Sequence, residues 1–441
     1  MAFKFRKFTH FDFALCFSVL ALTVTGILFI YSSGVNSSGV SVSNEYLKQI
    51  LWAVSGFAIL LYISVNDYRR IADRTLLLFV ITVAVLVYTR IFGRYVNGAR
   101  SWIGIGELGI QPSEFSKILY ILYLAHYLDI SEKTEKPFVR FVKAGVIMLV
   151  PMALILSQPD LGTSSVFFPI FLTICLLAGL PLRYIVMVFL FGVCTILFTI
   201  LPYWDDIVLG RSLAVMRVFT DSKITLITTI ILSSVLGLAV SGYWFFKTKY
   251  YYWISYVAGL LLFSLLTSLL AGKVLKEYQI MRLIIFLNPY IDERGAGWNI
   301  IQSITAIGSG GLSGQGYLQG TQSHYRFLPQ QSTDFIFSIL TEEWGFLGGI
   351  TVFILYGIIF ARGIRIIKSA GNRFGSLTAC GIVTMLTFHF LVNIGMVMGI
   401  MPITGIPLFF LSYGGSSLWT AMAATGILMS ISMKKIEASS S

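Results

Sequence analysis

The longest polar stretch of this hydrophobic chain, residues 273–332, combines the residue types that catalysis and ligand binding require. Asn288-Pro289 is a turn signal, and the carboxylates of Asp292 and Glu293 follow at once. Amides, aromatic rings and closely spaced glycines fill much of the remainder. Hydrophobic spans need only short connections, so a loop this long and polar is the expected place for chemistry or ligand capture.

The glycine-rich part of this loop, GSGGLSGQG, does not match a nucleotide-binding motif. It lacks the Gly-Lys-Ser/Thr of a phosphate-binding loop, and no strand precedes it as a dinucleotide fingerprint requires. The segment WNIIQSITAIG has apolar residues at helical spacing and is predicted to form a short re-entrant or interfacial helix. Zinc chemistry lacks its ligands, because the histidines are scattered and favour structural or interfacial roles: His10, His126, His324 and His389.

A second polar group opens a hydrophobic segment at QPSEFSKILYILY. Glu114 and Lys117 are three residues apart and therefore share one face of a helix. Ionised residues in a membrane helix normally face the bundle interior or a wet cavity. Two interpretations stay open, namely an ion pair that only locks helices together and a cationic wall for an anionic substrate.

A third polar stripe opens the segment STDFIFSILTEEWGFLGG. At helical spacing the stripe comprises Asp334, Ser338, Thr341, Glu342 and Gly345. Thr333 is a candidate cap for this helix, and Asp334 suits either a helix N-terminus or a cavity.

Two connecting segments carry further candidates. Asp160, in SQPDLGTSS, lies in a tight turn and is suited to capping the helix that follows. The Gly-rich loop 92–112 carries Arg100 and Trp102. An interfacial Trp is commonly a membrane anchor. Its place between Arg100 and the Glu114/Lys117 pair also makes it a plausible floor for a sugar or a diphosphate.

The elements that must position these residues are membrane-spanning helices. Of the 441 residues, 56% are hydrophobic and 12% are charged, whereas a soluble protein carries about a quarter charged residues. The formal charge of +12 does not indicate nucleic-acid binding, because most Lys and Arg fall in alternate loops, as the positive-inside rule requires. The cysteines lie in apolar runs without paired spacing and are predicted to be packing residues: Cys16, Cys175, Cys194 and Cys380.

We predict an all-α polytopic membrane protein with about 12 transmembrane helices. The predicted spans are residues 12–32, 48–65, 75–91, 113–128, 140–157, 161–179, 181–201, 224–246, 250–272, 333–361, 376–400 and 404–433. The first run lacks a small-residue cleavage site and is expected to be a retained span. The cation pattern puts both termini in the cytoplasm, so loops 92–112 and 273–332 face outward. Residues 1–441 are predicted to form one transmembrane domain, without a soluble domain or an obvious repeat.

Several long strings of this chain resemble, in order, the motifs of the SEDS proteins (shape, elongation, division and sporulation). The strings are NGARSWIGIGELGIQPSEFSK, QPDLGTSS, NPYIDERGAGWNIIQSITAIGSGGLSGQGYLQGTQSHYRFLPQQSTDF and MPITGIPLFFLSYGGSS. The resemblance covers nearly the whole chain and is greater to elongation members than to division members. The SEDS helical bundle usually has about ten spans, so residues 222–272 resemble an inserted helical hairpin, which preserves sidedness. Glu293-Arg294 departs from the family, which often has Pro after the acid.

The resemblance implies a peptidoglycan glycosyltransferase of the cytoplasmic (inner) membrane. Such an enzyme polymerises lipid II, an undecaprenyl-diphosphate-linked disaccharide pentapeptide, on the outer face of the membrane during cell elongation. Asp292 matches the essential acid of the family, and Trp102 matches a functionally sensitive Trp. The predicted substrate-binding residues are Trp102, Arg100, Glu114, Lys117, Asp160, Gln302, Ser303, Gln322, Asp334 and Glu342.

In the implied reaction, Asp292 takes the proton of the attacking sugar hydroxyl, a role worth about 10²–10⁴-fold. The leaving diphosphate requires cations, and Lys117 and Arg100 are the nearest candidates by motif, with Arg282 and Arg326 behind them. Mg²⁺ or another divalent cation would bind through one or two carboxylates plus the diphosphate, since no dedicated metal cage is visible. Apolar grooves between spans would hold the polyprenyl tails.

The resemblance also implies partners. They are a class B penicillin-binding protein that cross-links the new strands, the elongation machinery around the MreB cytoskeleton, and membrane lipids; nucleic acid is not among them. Alternative functions stay open, namely a lipid II flippase, which the charges of Glu114 and Lys117 motivate, a non-catalytic scaffold, and a division-type polymerase.

Overall fold

Long helices dominate the computed structural model, which describes residues 11–96, 99–105, 108–204, 217–274, 281–282, 284–286, 288–293 and 295–439. The basic N-terminal residues with His10, and Arg294 in the polar loop, lie outside the described residues. The chain divides into two units, one formed by Met1–Leu180 with Gln302–Ser441 and the other by Pro181–Ile301. Each unit is described by itself below.

The helices follow one another in chain order with short connections. They are α1 (Phe13–Ser33), α2 (Glu45–Val65), α3 (Thr75–Phe92), α4 (Pro112–Ile130), α5 (Pro137–Ser157), α6 (Phe167–Leu177), α7 (Leu182–Trp204), α8 (Ser222–Phe246), α9 (Lys249–Val274), α10 (Ala296–Ser309), α11 (Ile336–Ser369), α12 (Arg373–Val397) and α13 (Gly415–Ser439). Shorter helices are Arg69–Ala72, Leu161–Ser165, Arg217–Thr220 and Thr321–His324, with a 3₁₀ turn at Pro289–Asp292.

Local signals explain where several helices begin. Pro112 and Pro137 occupy the first turns of α4 and α5, where the missing N–H costs nothing. Asp12 caps α1 by accepting from the Leu15 N–H at 3.1 Å, and Asn372 caps α12 by accepting from the Gly375 N–H at 3.0 Å.

Ten of these helices are long and apolar enough to cross a membrane, counted within the described residues. They make the chain a multi-pass membrane protein with an all-α fold, as the sequence predicted. Two further predicted spans do not meet the same criteria: α4 carries charged residues, and Leu161–Leu177 is short. The span count of about 12 therefore stays a prediction.

The last helix begins later than the sequence predicted. Residues 404–414 were expected to open the final span, but α13 starts at Gly415. Backbone angles explain the error, because Gly405, Phe410 and Gly414 have positive φ values of 70°, 69° and 157°, which a helix cannot accommodate. Residues 398–414 instead form a non-helical segment, called here the 398–414 segment.

The cap predicted at Thr333 is also wrong. Helix α11 begins at Ile336, and Phe335 occupies the cap position without a side-chain hydrogen bond. The Thr333 hydroxyl donates instead to the Gln330 carbonyl at 3.3 Å.

The loop 92–112 contains a small antiparallel sheet that the sequence reading missed. Its strands are β1 (Arg94–Val96), β2 (Ala99–Ile105) and β3 (Leu108–Ile110), in the order β1-β2-β3. Val96 pairs with Ala99, and Ile105 pairs with Leu108. Asn97-Gly98, between the first two strands, is a dipeptide typical of two-residue hairpin turns and was the available signal.

Helix α11 is broken at Gly345, whose φ of 62° and ψ of −158° lie outside the helical region. The break frees backbone groups, and the glycine-rich segment 310–316 satisfies them. The amides of Gln315 and Gly316 donate to the carbonyls of Glu342 and Glu343, each at 3.0 Å. In return, the amides of Phe346 and Leu347 donate to the carbonyls of Gly311 and Leu312, at 2.9 and 3.1 Å. The glycines of GSGGLSGQG therefore repair a broken helix, which non-helical backbone in a membrane protein requires.

The second unit contains the predicted inserted hairpin. Helices α8 and α9 reverse at Lys247, which has a left-handed φ of 49° and donates its amide to the Tyr243 carbonyl at 2.9 Å. A Cβ on Gly242 would meet the Tyr251 ring at 2.8 Å, so the two helices approach closely there. The Tyr256 hydroxyl donates to the Arg183 carbonyl at 2.9 Å and ties α9 to α7.

We expect Gly345→Ala to destabilise the protein by at least about 2 kcal/mol, since a side chain disfavours positive φ and would also clash. A Cβ there would lie 2.7 Å from the Leu312 carbonyl group. Gly357→Ala is the matched control in the same helix, because a Cβ at Gly357 meets no atom within 4 Å. Thermal unfolding in detergent micelles measures both, and equal midpoints for the two variants would contradict the account of the break.

Candidate functional site

The most enclosed charged group of the first unit is Lys117, one turn into α4. Its Nζ lies 2.8 Å from Oε1 of Glu114 on the preceding turn. Lys117 is fully buried, and Glu114 is 2% exposed. The predicted shared face is thus confirmed. Removing two charges from solvent is costly, and such pairs persist only where hydrogen bonds satisfy them.

His389 of α12 joins this pair. Its Nε2 lies 3.1 Å from Lys117 Nζ, and its Nδ1 lies 3.0 Å from the Pro407 carbonyl oxygen. The imidazole stacks on the Phe409 ring at 3.8 Å between centroids. No sequence spacing pointed to the contact, since 272 residues separate the two side chains. The only signal was a histidine inside a predicted membrane helix, which is itself unusual.

Asp160 links three segments at the start of α4. Its carboxylate accepts from the Thr163 N–H at 3.0 Å, which confirms the predicted cap of Leu161–Ser165. It also accepts from the Gln111 side-chain amide at 2.9 Å. The backbone N–H of Gln111 in turn donates to Ser416 Oγ at 3.0 Å, at the start of α13. Asp160 therefore has structural partners within the described residues, whatever it binds besides.

Asp334 lies half-buried beside the 398–414 segment. Asn393 of α12 donates to the Asp334 carbonyl oxygen at 3.0 Å and to the Ile406 carbonyl oxygen at 2.8 Å. A Cβ on Gly405 would lie 3.6 Å from Asp334 Oδ2, so the carboxylate faces this segment. The cap interpretation of Asp334 is wrong, because α11 has no side-chain cap. The cavity interpretation remains.

Glu342 and Glu343 anchor the polar loop to α11. The Glu342 carboxylate accepts from the backbone amides of Gln322 and Ser323, at 2.7 and 3.3 Å, and from the Thr321 hydroxyl at 3.1 Å. Both glutamates are fully buried. Because these chain groups occupy the Glu342 carboxylate, we leave it out of the proposed substrate site.

Glu343 extends the anchor to α1. It accepts from the Ser32 hydroxyl and from the Leu318 amide, the latter at 3.0 Å. His324 Nε2 lies 3.8 Å away, while its Nδ1 lies 2.8 Å from the Val35 carbonyl oxygen. Burial, with the Glu343 charge nearby, raises the pKa of Tyr317 in the loop to about 12. The neutral Tyr317 hydroxyl donates to the Leu28 carbonyl at 3.0 Å.

Three other predicted residues have largely structural surroundings. Ser303 is fully buried and donates to the Val397 carbonyl at 2.6 Å, with Ser338 Oγ at 2.7 Å. Gln322 is half-buried, and its backbone amide serves the Glu342 anchor. Gln302 is half-buried on α10.

Arg100 and Trp102 share one face of β2, as alternate residues of a strand do. Arg100 is exposed, and Trp102 is half-buried. A Cβ on Gly109 would lie 2.9 Å from the indole, so the ring rests on β3. Trp102 is therefore held by the sheet, in a loop rather than on a membrane helix.

An apolar cavity of about 430 Å³ lies against the same sheet. Its walls come from α3, the sheet and the start of α4, and include Val85, Ile103, Ile110, Phe115 and Leu119. A hydrocarbon chain matches these walls, because aliphatic and aromatic side chains dominate them.

Asp292 lies in the second unit, at the end of the 3₁₀ turn Pro289–Asp292. Asn288 begins the turn by accepting from the Tyr290 N–H at 3.2 Å, which confirms the predicted turn. Asp292 is half-buried, and Glu293 is exposed. Both Asp292 carboxylate oxygens lie over the Cα of Gly295, where an added Cβ would collide with them. Gly295 is thus a neighbour of Asp292 that sequence reasoning missed.

Two distant cations keep their predicted places in sequence only. Arg282 is half-buried in the second unit, and Arg326 is exposed with a left-handed φ of 57°. Within the described residues, no group of three or more His, Cys, Asp or Glu is placed to hold a metal ion.

The sequence matches the FtsW/RodA/SpoVE family of cell cycle proteins over residues 13–220 and 207–437. It is 58% identical to the peptidoglycan glycosyltransferase RodA of Treponema pallidum, across 98% of this chain and 100% of the relative. It is 31% identical to the peptidoglycan glycosyltransferase MrdB of Escherichia coli, across 96% of this chain and 93% of the relative.

The fold is similar to that of a chain in a peptidoglycan synthase complex whose structure concerns the coordination of polymerization and crosslinking. The TM-score is 0.65 at 25% identity, covering 96% of this chain and 98% of the other.

We expect Glu114→Leu to cost about 3–5 kcal/mol, because it leaves the buried Lys117 ammonium without its anion. The double variant Glu114→Leu/Lys117→Met should recover most of that loss, since apolar residues replace both charges. Glu135→Leu, which breaks the exposed Glu135–Lys143 pair, is the control and should change stability little. Thermal unfolding in detergent reports all three; a double variant as unstable as the single one would contradict the buried-pair account.

Proposed function

The chain belongs to the FtsW/RodA/SpoVE family of cell cycle proteins, and we propose that it is a peptidoglycan glycosyltransferase that polymerises lipid II during cell elongation. The observation that carries this function is the 58% identity, over nearly the full length, to a protein named as such an enzyme. The second relative, MrdB, has the same named activity. The elongation role is favoured over a division role, because the FtsW relatives are less similar, at 31% identity or below.

The proposed location is the cytoplasmic membrane, with both termini in the cytoplasm and the polar loop facing outward. The alternation of cationic loops supports this orientation. Lipid II would then meet Asp292, the sheet of loop 92–112 and the 398–414 segment from the outer leaflet. These elements come from both units of the chain.

In the proposed reaction, the 4-hydroxyl of an acceptor sugar attacks the anomeric carbon of a donor sugar. A carbon–oxygen bond forms between the two sugars, and the bond from that carbon to the diphosphate breaks. Asp292 takes the hydroxyl proton as bonding develops, which is general base catalysis. The lipid-linked diphosphate leaves with the bonding electrons.

The leaving diphosphate gathers negative charge, and Lys117 is the proposed cation that stabilises it. Arg100, exposed on β2, is the second candidate, and Trp102 on the same face supplies a surface for a sugar ring. The apolar cavity against α3 and α4 suits part of a polyprenyl tail. Mg²⁺ or another divalent ion stays an expectation, and it would bind through the diphosphate together with one or two carboxylates.

The proposed partner is a class B penicillin-binding protein, which would cross-link the strands that this chain makes. The likeness to a chain of a complex that couples polymerization and crosslinking supports that partnership. The elongation machinery around MreB is proposed from the family resemblance.

We expect Asp292→Asn to fold and to bind lipid II but to polymerise it about 10²–10⁴-fold more slowly. Asp221→Asn is the matched control, because Asp221 is an exposed cap at the start of α8 in the same unit. Purified protein with labelled lipid II measures glycan formation. An unchanged rate for Asp292→Asn would refute the assignment.

Sealed vesicles separate the proposal from its alternatives. Polymer without transbilayer movement of labelled lipid II supports the enzyme, whereas movement without polymer supports a flippase. Neither activity from the wild-type protein would support the scaffold.

We expect Gly295→Ala to lower the polymerisation rate about 10²-fold by displacing the Asp292 carboxylate, since small misplacements of catalytic groups are costly. Gly272→Ala on α9 is the control, because its Cβ would meet no atom within 4 Å. Comparable melting temperatures with a lower rate for Gly295→Ala alone would support the account. A fully active Gly295→Ala would show that the position of the carboxylate over Gly295 is not used.

A further inference from the structure

The hydrogen-bond inventory of Lys117 determines how its charge is presented. An ammonium group has three donors and no acceptor. Two donors have identified partners, Glu114 Oε1 at 2.8 Å and His389 Nε2 at 3.1 Å. Lys117 is fully buried, so these partners rather than bulk solvent hold the group in place.

The contacts of His389 define its tautomer. Nδ1 lies 3.0 Å from the Pro407 carbonyl oxygen, and a carbonyl oxygen can only accept. Nδ1 therefore carries the proton and donates it to Pro407. Nε2 then presents a lone pair, which is the group that a lysine ammonium requires at 3.1 Å.

The imidazole ring is fixed in orientation as well. It stacks on Phe409 with centroids 3.8 Å apart and planes 18° apart. The Phe409 carbonyl accepts a hydrogen bond from the Tyr356 hydroxyl on α11. Lys117 Nζ lies 5.3 Å from the Phe409 ring centroid, within the range of a cation–π contact. The lone pair of His389 thus has one direction, set by α11 and the 398–414 segment.

Glu114 Oε2 shows what His389 prevents. This oxygen is buried, and no hydrogen-bond donor among the described residues reaches it. Lys117 therefore makes one hydrogen bond to Glu114 rather than contacting both oxygens. A carboxylate that held the ammonium with both oxygens would neutralise more of its charge.

We propose that His389 is a positioning residue that holds the Lys117 ammonium off the second oxygen of Glu114 and keeps its charge available to the substrate diphosphate. The proposal rests on the proposed function and deepens it. His389 touches neither sugar nor phosphate in this account and acts only through Lys117. Loss of the Nε2 lone pair lets the ammonium turn fully onto Glu114.

Three substitutions test this role. His389→Leu removes the acceptor, and polymerisation of lipid II should fall about 10- to 100-fold, as expected for a misplaced charge. His389→Gln should restore most of the rate, because its amide can donate to Pro407 and accept from Lys117. His126→Leu is the control, since His126 on the same helix as Lys117 makes only an edge contact with Phe374, with centroids 5.9 Å apart.

A double-variant cycle asks whether His389 acts through Lys117. Lys117→Met/His389→Leu should be no slower than Lys117→Met alone if the role is positioning. Additive losses, or a His389→Gln variant as slow as His389→Leu at equal melting temperature, would overturn the proposal.

A spectroscopic arm separates this proposal from the proposed function. Nitrogen NMR of ¹⁵N-histidine-labelled protein should show one neutral Nδ1–H imidazole that disappears in His389→Gln and whose Nε2 signal shifts in Lys117→Met. The opposite tautomer, or a signal indifferent to Lys117→Met, would overturn the proposal. A wild-type protein that makes no glycan would instead refute the proposed function, and the spectrum would still decide whether His389 holds Lys117.

Discussion

A lysine ammonium without water must find acceptors within the protein, and that requirement organises the polar end of the first unit. Lys117 binds Glu114 on its own helix and His389 on α12. His389 in turn engages the 398–414 segment, which must leave the helical path to present the Pro407 carbonyl. One buried charge therefore explains why α13 starts only at Gly415 and why the preceding residues adopt positive φ. The same enclosure would strengthen an interaction with a diphosphate, since electrostatic attraction increases where water is excluded.

The break in α11 is the second constraint, and it serves the polar loop. A helix interrupted among hydrophobic neighbours must replace its lost hydrogen bonds. Segment 310–316 supplies the replacements, and its glycines let backbone approach backbone. Glu342 and Glu343, immediately before the break, bind the next part of the loop by their side chains. The loop is thereby fixed to α11 and α1, which suits a surface that must hold a large amphiphilic substrate.

Hydrophobic length and polar spacing allowed much of this to be predicted from the sequence. The long helices, the shared face of Glu114 and Lys117, the turn at Asn288-Pro289 and the Asp160 cap all depend on neighbours within a few residues. The contact of His389 with Lys117 depends on residues 272 positions apart, and no local pattern encodes it. The small sheet was missed because hydrophobicity dominated the reading of a loop whose Asn-Gly signal is short. Glu342 was assigned to substrate because a buried carboxylate looks the same in sequence whether a loop or a ligand satisfies it.

The account comes down to whether the enclosed ammonium meets the phosphates of the substrate. The most direct measurement is an experimental structure of the full chain with an uncleavable lipid II analogue in a lipid bilayer disc. We predict a phosphate oxygen within about 3 Å of Lys117 Nζ, as a charge-assisted hydrogen bond requires, with His389 still in contact. A diphosphate bound away from Lys117, with the ammonium engaged only by Glu114 and His389, would contradict it.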